Sequence, residues 1–226
     1  MSVPRTRRSR TPDINLPGIK NRDWATDINR MLCIDESLND SGAALFVDAK
    51  YIPQTDVTGK DVGFFLKQSP SKSQQERIVA YHDWVANIIS THKPDVVIGE
   101  SHPFARGNRH TSIVTLEVMA GVRYVTMLTC GKLGVPYVEF STNYVKLMMC
   151  DSTAASKEMI QLVLQGCGYD LPIYFGKDEI NGNVCDAIAM GEVLSRMQRQ
   201  EIIRKQLSTV VGNGRSQTQS RRKRNA

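Results

Sequence analysis

Runs of apolar residues separated by polar turns divide the chain into short strands and longer helices. The apolar run 31–34 ends at Asp35, a polar turn that includes Asn39 and Asp40 follows, and Gly42 opens a second apolar run. Two such runs joined by a polar turn are typical of a β-hairpin. Asp35 is therefore expected where the first strand ends, either as a turn-capping residue or as a functional carboxylate.

Apolar positions at helical spacing predict the helices. In segment 73–92, Ile78, Tyr81 and Val85 recur at this spacing, and Ser73 with Glu76 resembles a capping box. Further helices are predicted over 112–133, 142–150, 155–167 and 183–207, and strands over 95–100 and 134–140. Segment 49–72 is interrupted by Pro and Gly and predicts one or two further strands or a long mobile loop. Strands followed by helices predict a mixed sheet with helices on both faces.

Composition indicates a protein of a reduced compartment. The 226 residues are 41% hydrophobic, yet no apolar run approaches the ~20 residues of a membrane helix. No signal-peptide core follows the N-terminus. The five cysteines are scattered without a Cys-x-x-Cys pair, which argues against a zinc site or a disulfide framework. We expect an intracellular protein of the cytoplasm or nucleoid, in the host cell if the source is viral, with the nucleus and organelles left open.

The basic residues are concentrated at the two ends. Net charge is +6, but nine of the 29 basic residues lie in 1–10 and 212–226, which contain no acid. The middle of the chain is therefore slightly acidic. We predict a basic disordered arm over 1–25, one folded domain over 26–211 and a basic disordered tail over 212–226. Such tails bind nucleic acid without sequence specificity, although a localisation signal or a solubility role would give the same composition.

Three acids lie at the ends of predicted elements. Asp35 ends the first strand, Glu100 ends the apolar run 96–99, and Asp186 lies in the first turn of the last helix. Each one alone is explained by capping or surface charge. Together, partly buried carboxylates without balancing cations are costly, and hard divalent cations relieve that cost. Two such ions are the usual catalysts of phosphodiester hydrolysis.

Four stretches carry a resemblance to a known family. They are Ile-Asp-Glu-Ser-Leu-Asn-Asp-Ser-Gly-Ala-Ala at 34–44, Pro-Asp-Val-Val-Ile-Gly-Glu at 94–100, Tyr-Val-Lys at 144–146 with Ala-Ser-Lys at 155–157, and Asp-Ala-Ile-Ala at 186–189. In order and spacing they resemble the motifs of RuvC-type Holliday junction resolvases, from about residue 31 to 197. The resemblance implies an α/β fold, an RNase H-like mixed sheet flanked by helices on both faces. The length and the basic ends suggest a divergent member, and a viral source fits them.

The resemblance also implies roles for single residues. Asp35, Glu100 and Asp186 would be catalytic metal ligands for Mg²⁺, with Mn²⁺ as a substitute and two ions per site. Lys146 and Lys157 would approach the scissile phosphate, although either lysine alone reads as an ordinary solvated side chain.

Other positions depart from the family or extend the site. Asn183 stands where the family has an acid or histidine, and it could ligate metal only through its uncharged carbonyl oxygen. Glu192 lies nearly two helical turns beyond Asp186 and is a poor substitute. Phe104 would stack on an unpaired base of the junction, with Arg106 and Arg109 of the same loop contacting DNA alongside the two lysines. Phe104 could equally be a core side chain.

The function implied is that of a metal-dependent, structure-selective endodeoxyribonuclease that cleaves four-way junctions and other branched DNA. A homodimer is expected, with the helix at 112–133 supplying much of the interface, and no membrane association. Two alternatives stay open: a non-catalytic DNA-binding recombination scaffold with the same fold, and an RNase H acting on RNA–DNA hybrids. An actin-like ATPase would need a second Gly-rich phosphate loop, which the sequence lacks.

Overall fold

The computed structural model describes residues 28–101 and 113–224, and within them eleven elements. The strands are β1 (Arg30–Asp35), β2 (Asp40–Val47), β3 (Lys50–Ile52), β4 (Phe64–Lys67), β5 (Val96–Ser101) and β6 (Tyr137–Ser141). The helices are α1 (Gln74–His92), α2 (Ile113–Leu133), α3 (Thr142–Cys150), α4 (Lys157–Gly166) and α5 (Gly182–Arg224). The predicted arm at 1–25 and the loop around Phe104 lie outside the described residues.

The six strands form one mixed sheet centred on β1. Its order is β3-β2-β1-β5-β6, with β4 also paired to β2. β1 and β2 are antiparallel with Asp35 opposite Gly42, so the predicted hairpin is confirmed. β1 and β5 are parallel with Ile34 opposite Gly99, which brings Asp35 and Glu100 to the same edge of the sheet. Of the two readings of segment 49–72, the strands are confirmed, as β3 and β4.

Alternation along the strands builds a core on each face of the sheet. Met31 and Cys33 of β1 pack in a cluster with residues of α3, α4 and α5. Leu32 and Ile34 point to the other face and pack against α1 and α2. Asp35 continues the first series and Glu36 the second, since successive strand residues face opposite sides. The predicted α/β fold, an RNase H-like mixed sheet with helices on both faces, is confirmed.

Helix α5 approaches the sheet closely, and two glycines allow this. A Cβ on Gly42 of β2 would collide with the backbone of residues 183 and 184, and a Cβ on Gly191 of α5 would collide with the ring of Phe46. Any larger side chain at these positions would push the helix away from the strands. The close approach fixes where the first turns of α5 lie relative to the ends of β1 and β5.

Helix boundaries agree with the sequence except at the C-terminus. The capping box of Ser73 and Glu76 is present at the start of α1. Helix α5 runs to Arg224 instead of ending near 207. Residues 208–224 contain no proline, which would interrupt a helix. No helix among residues 28–101 and 113–224 has a stretch long and apolar enough to cross a membrane.

Candidate metal and nucleic-acid site

Three elements bring the three predicted carboxylates into one cavity. Asp35 ends β1, Glu100 lies near the end of β5, and Asp186 projects from the second turn of α5. The cavity has a volume of about 170 Å³. It is lined by Asp35, Glu100, Thr142, Val145, Lys146, Lys157, Ile160, Asp186 and Met190. The structure thus places together five of the nine site residues that the sequence suggested.

The carboxylates repel one another in a partly desolvated space. Burial raises the pKa of Asp35 well above its usual range, and the charges of Asp186 and Glu100 raise it further. Burial and the charge of Asp186 raise the pKa of Glu100 to about 7. Both shifts mean that the ionised forms are costly without a nearby cation. The shifts therefore favour the protonated carboxyls, and ionisation of the whole cluster requires a compensating cation.

The two predicted lysines line this cavity in different states. Lys157, the first residue of α4, forms an ion pair with Asp186, with 2.7 Å between Nζ and Oδ2. Lys146 of α3 lines the same cavity, and no described residue forms an ion pair with it. The hydroxyl of Thr142 donates a hydrogen bond to the Glu100 carboxylate. Asp186 on α5 is thus held by Lys157, and Glu100 on β5 by Thr142.

The side chain of Asn183 forms a hydrogen bond outside the cavity. Its amide nitrogen donates to the backbone carbonyl of Asp40, at 2.8 Å, and Asn183 is not among the residues that line the cavity. The contact ties the start of α5 to the β1–β2 turn. The predicted ligand role would have to use the remaining carbonyl oxygen of the side chain. The other predicted DNA-contacting residues, Phe104, Arg106 and Arg109, lie outside the described residues.

Two polar residues next to the site were missed by sequence reasoning. Thr142 reaches Glu100 because β5 and β6 are parallel neighbours, with Glu100 opposite Phe140, and this pairing has no local sequence signal. Glu36 is buried on the opposite face of the sheet, where Tyr137 donates a hydrogen bond to it at 3.1 Å. Burial raises the pKa of Glu36 to about 7. Because side chains alternate along a strand, the position of Glu36 directly after Asp35 would have predicted that it faces the opposite side of the sheet.

The donor set fits a divalent cation, although the side chains are not gathered around one point. Within the described ranges, no group of three or more His, Cys, Asp or Glu is spaced to hold an ion as it stands. The three carboxylates nevertheless supply the hard oxygen donors that Mg²⁺ prefers, and their raised pKa values show a need for positive charge. Binding of an ion at Asp186 would also have to displace the Lys157 ammonium.

The sheet order and the flanking helices define an α/β protein with an RNase H-like fold, and comparisons with known proteins show what the chain is similar to. No protein-family model matches the chain. The chain is 32% identical over 100 residues to "Crossover junction endodeoxyribonuclease RuvC" of Gloeobacter violaceus, covering 44% of this chain and 54% of the relative. It is 29% identical over 120 residues to the protein of that name from Thermomicrobium roseum, covering 51% and 65%.

A solved structure shows the same fold. Thermus thermophilus RuvC in complex with Holliday junction substrate superposes with a TM-score of 0.55, at 19% identity, over 76% of this chain and 95% of that chain. The resemblance to RuvC-type resolvases is therefore confirmed in sequence and in fold. The matched region spans between about half and two thirds of the length of the two curated relatives.

Proposed function

We propose that this protein is a divalent-metal-dependent endonuclease that cleaves branched DNA, four-way junctions above all. The observation that carries the proposal is the cavity in which Asp35, Glu100 and Asp186 meet beside Lys146 and Lys157. Support comes from the similarity to relatives named crossover junction endodeoxyribonucleases and from the fold shared with a RuvC solved on a Holliday junction.

The chain's own residues supply binding and orientation. Asp35, Glu100 and Asp186 would hold Mg²⁺, or Mn²⁺ in its place, as a two-ion site. When bound, such ions activate water and stabilise the leaving oxygen of a phosphodiester. Lys146 and Lys157 neutralise the negative charge that develops on the scissile phosphate. Asn183 keeps α5 against the β1–β2 turn, so that Asp186 faces the other two carboxylates.

DNA contacts outside the cavity are also part of the proposal. Phe104 is proposed to stack on an unpaired base at the branch point, with Arg106 and Arg109 binding the backbone beside it. The nuclease domain is proposed to occupy 26–211, with the basic ends, 1–25 and 212–226, adding affinity without sequence specificity. Deleting the basic ends should lower affinity and flatten its salt dependence, while selectivity for junctions over duplexes persists.

A homodimer formed through α2 is proposed because the outer face of this helix is apolar and uncovered. Val122, Thr126 and Cys130 face the core, and Val114, Tyr124, Met127 and Leu128 are exposed on the outer side of the helix. A second copy would cover this stripe, and a two-fold dimer matches the two symmetric strands of a four-way junction. Leu128→Glu should produce a monomer in analytical ultracentrifugation, whereas Leu162→Glu, at an exposed apolar residue of α4, should leave a dimer.

One assay tests the function. Purified protein with Mg²⁺ is offered a labelled four-way junction, a linear duplex and an RNA–DNA hybrid. Paired symmetric nicks in the junction alone are the expected result. Cleavage of the hybrid alone would instead assign an RNase H. Binding of the junction without cleavage in Mg²⁺ or Mn²⁺ would assign a recombination scaffold, for which Asn183 in place of an acidic ligand is the supporting observation.

A further inference from the structure

We propose that Lys157 is an exchangeable internal counterion: it occupies Asp186 while the site holds no divalent ion, and it turns to the substrate phosphate once an ion takes that carboxylate. The inference rests on the proposed metal site and adds its regulation. The protein would then present its full positive charge to DNA only when the catalytic ions are in place.

The position of Lys157 suits such an exchange. Its Nζ lies 2.7 Å from Asp186 Oδ2, yet the lysine side chain is 57% exposed while that of Asp186 is only 25% exposed. The ammonium therefore reaches the acid from the open side of the cavity. The backbone of Lys157 is fixed at the start of α4, where the Ser156 hydroxyl accepts a hydrogen bond from the amide of Met159. Only the flexible four-carbon side chain needs to move.

The charges of the cavity explain why an ion would displace the lysine. Lys157 brings a single positive charge to a cavity lined by three acids, and it pairs with Asp186. Compensation by Lys157 is thus incomplete. A divalent ion brings twice the charge to the same oxygens and satisfies them better, because hard cations bind several carboxylates at once. The ammonium is then repelled from Asp186 and left facing the open cavity.

Lys146 provides a matched control within the same cavity. It comes from α3, lines the same space and lowers the pKa of Glu100 by its charge, but no described residue forms an ion pair with it. Removing either lysine changes the net charge of the cavity by the same amount. Only removal of Lys157 also frees a carboxylate. A difference between the two variants therefore reports the ion pair and not the general electrostatic field.

The first experiment measures Mn²⁺ binding by calorimetry on the full chain without DNA. Lys157→Met should bind Mn²⁺ about tenfold more tightly than the wild type, and Lys146→Met no more than about threefold more tightly. Lys157→Arg, which retains the charge and the pairing, should stay close to the wild type. In EDTA, Lys157→Met should also melt at a lower temperature than Lys146→Met, because Asp186 then lacks its paired cation, and Mn²⁺ should raise its melting temperature more.

The second experiment measures junction affinity in EDTA and in Ca²⁺, used as a non-cleaving probe ion. Relative to the wild type, Lys157→Met should lose about threefold more junction affinity in Ca²⁺ than in EDTA, whereas Lys146→Met should show the same loss in both. Equal loss in both conditions for Lys157→Met would overturn the exchange. So would equal Mn²⁺ affinities for the two methionine variants, with the proposed metal site still standing. Absence of Mn²⁺ binding in all variants would overturn both proposals.

Discussion

Two acids on α5, six residues apart, lie in opposite electrostatic settings. Glu192 is nearly buried, with 8% of its side chain exposed, and its carboxylate accepts hydrogen bonds from Tyr169 at 2.6 Å and from Arg196 and Arg199, each at 2.9 Å. Asp186 has one ion-pair partner, Lys157, and faces two further acids. The first carboxylate is saturated by the protein, and the second is left short of positive charge.

The difference separates an acid held by the protein's own donors from an acid that we propose as a metal ligand. Glu192 lines a cleft of about 440 Å³ distinct from the Asp186 cavity, but Tyr169, Arg196 and Arg199 already use three of its roughly four acceptor positions. Breaking a saturated buried cluster costs stability, since it strands the partners. Removing one acid from a cluster of mutually repelling carboxylates should instead stabilise the fold and reduce activity. Each of the following predictions tests one side of this contrast.

The largest effect is expected from Asp35→Asn. The nicking rate on a four-way junction should fall by at least about a hundredfold, because loss of a residue that merely supports a metal ligand already costs ~10–100-fold. The metal-free protein should melt at a higher temperature, since one repelling carboxylate is gone. Single-turnover cleavage and thermal denaturation in EDTA measure the two effects. Unchanged cleavage would remove Asp35 from the site.

Glu192→Gln should have the reverse profile. The free energy of unfolding should fall by about 1–3 kcal/mol, because Arg196 and Arg199 lose a charged acceptor in a partly buried setting. The nicking rate should stay within about threefold of the wild type, since Glu192 is outside the cavity. Urea denaturation and the junction assay test this pair of outcomes. A loss of cleavage without a loss of stability would contradict the assignment of Glu192 as structural.

The pH dependence of stability should expose the unsatisfied cluster. The folded-state pKa of Glu100 is about 7, above its usual value near 4.5, so the folded protein binds more protons than the unfolded chain between these values. The free energy of unfolding in EDTA should therefore fall as pH rises from about 5 to about 7. Glu100→Gln should flatten this decline. A decline of equal slope in the variant would show that Glu100 is not its source.

The smallest effect is expected from Glu201→Gln, further along α5. Glu201 pairs with Arg204 at 2.6 Å, but the arginine side chain is largely exposed. Exposed pairs contribute little, and we expect a loss of less than about 0.5 kcal/mol in urea denaturation. The comparison with Glu192→Gln then contrasts this pair with a buried carboxylate that accepts from three donors. A loss as large as that of Glu192→Gln would show that neither the burial nor the extra donors of Glu192 decide the cost.

The sequence revealed those parts of the site that depend on local pattern. Asp35 and Glu100 could be placed because each ends an apolar strand, and Asp186 because it opens an apolar helix. Engagement of Asn183 by the Asp40 carbonyl could not be foreseen, since it depends on how closely α5 packs over Gly42. The Thr142 contact with Glu100 depends on strand order in the same way. The i,i+4 spacing of Glu192 and Arg196 is a sequence signal for their ion pair. The hydrogen bond from Tyr169 to Glu192 has no such signal, because the two residues meet only in the folded chain.

The arrangement of the three acids on β1, β5 and α5 has a consequence during synthesis. A nascent chain emerges from the ribosome with β1 first and α5 last, and Asp186 can meet Asp35 only after α5 has docked over Gly42 and Gly191. Translation that stops before α5 yields a product with two of the three acids and no Lys157–Asp186 pair. Such truncated chains would lack the proposed ion site and, under the proposed function, would not cleave DNA.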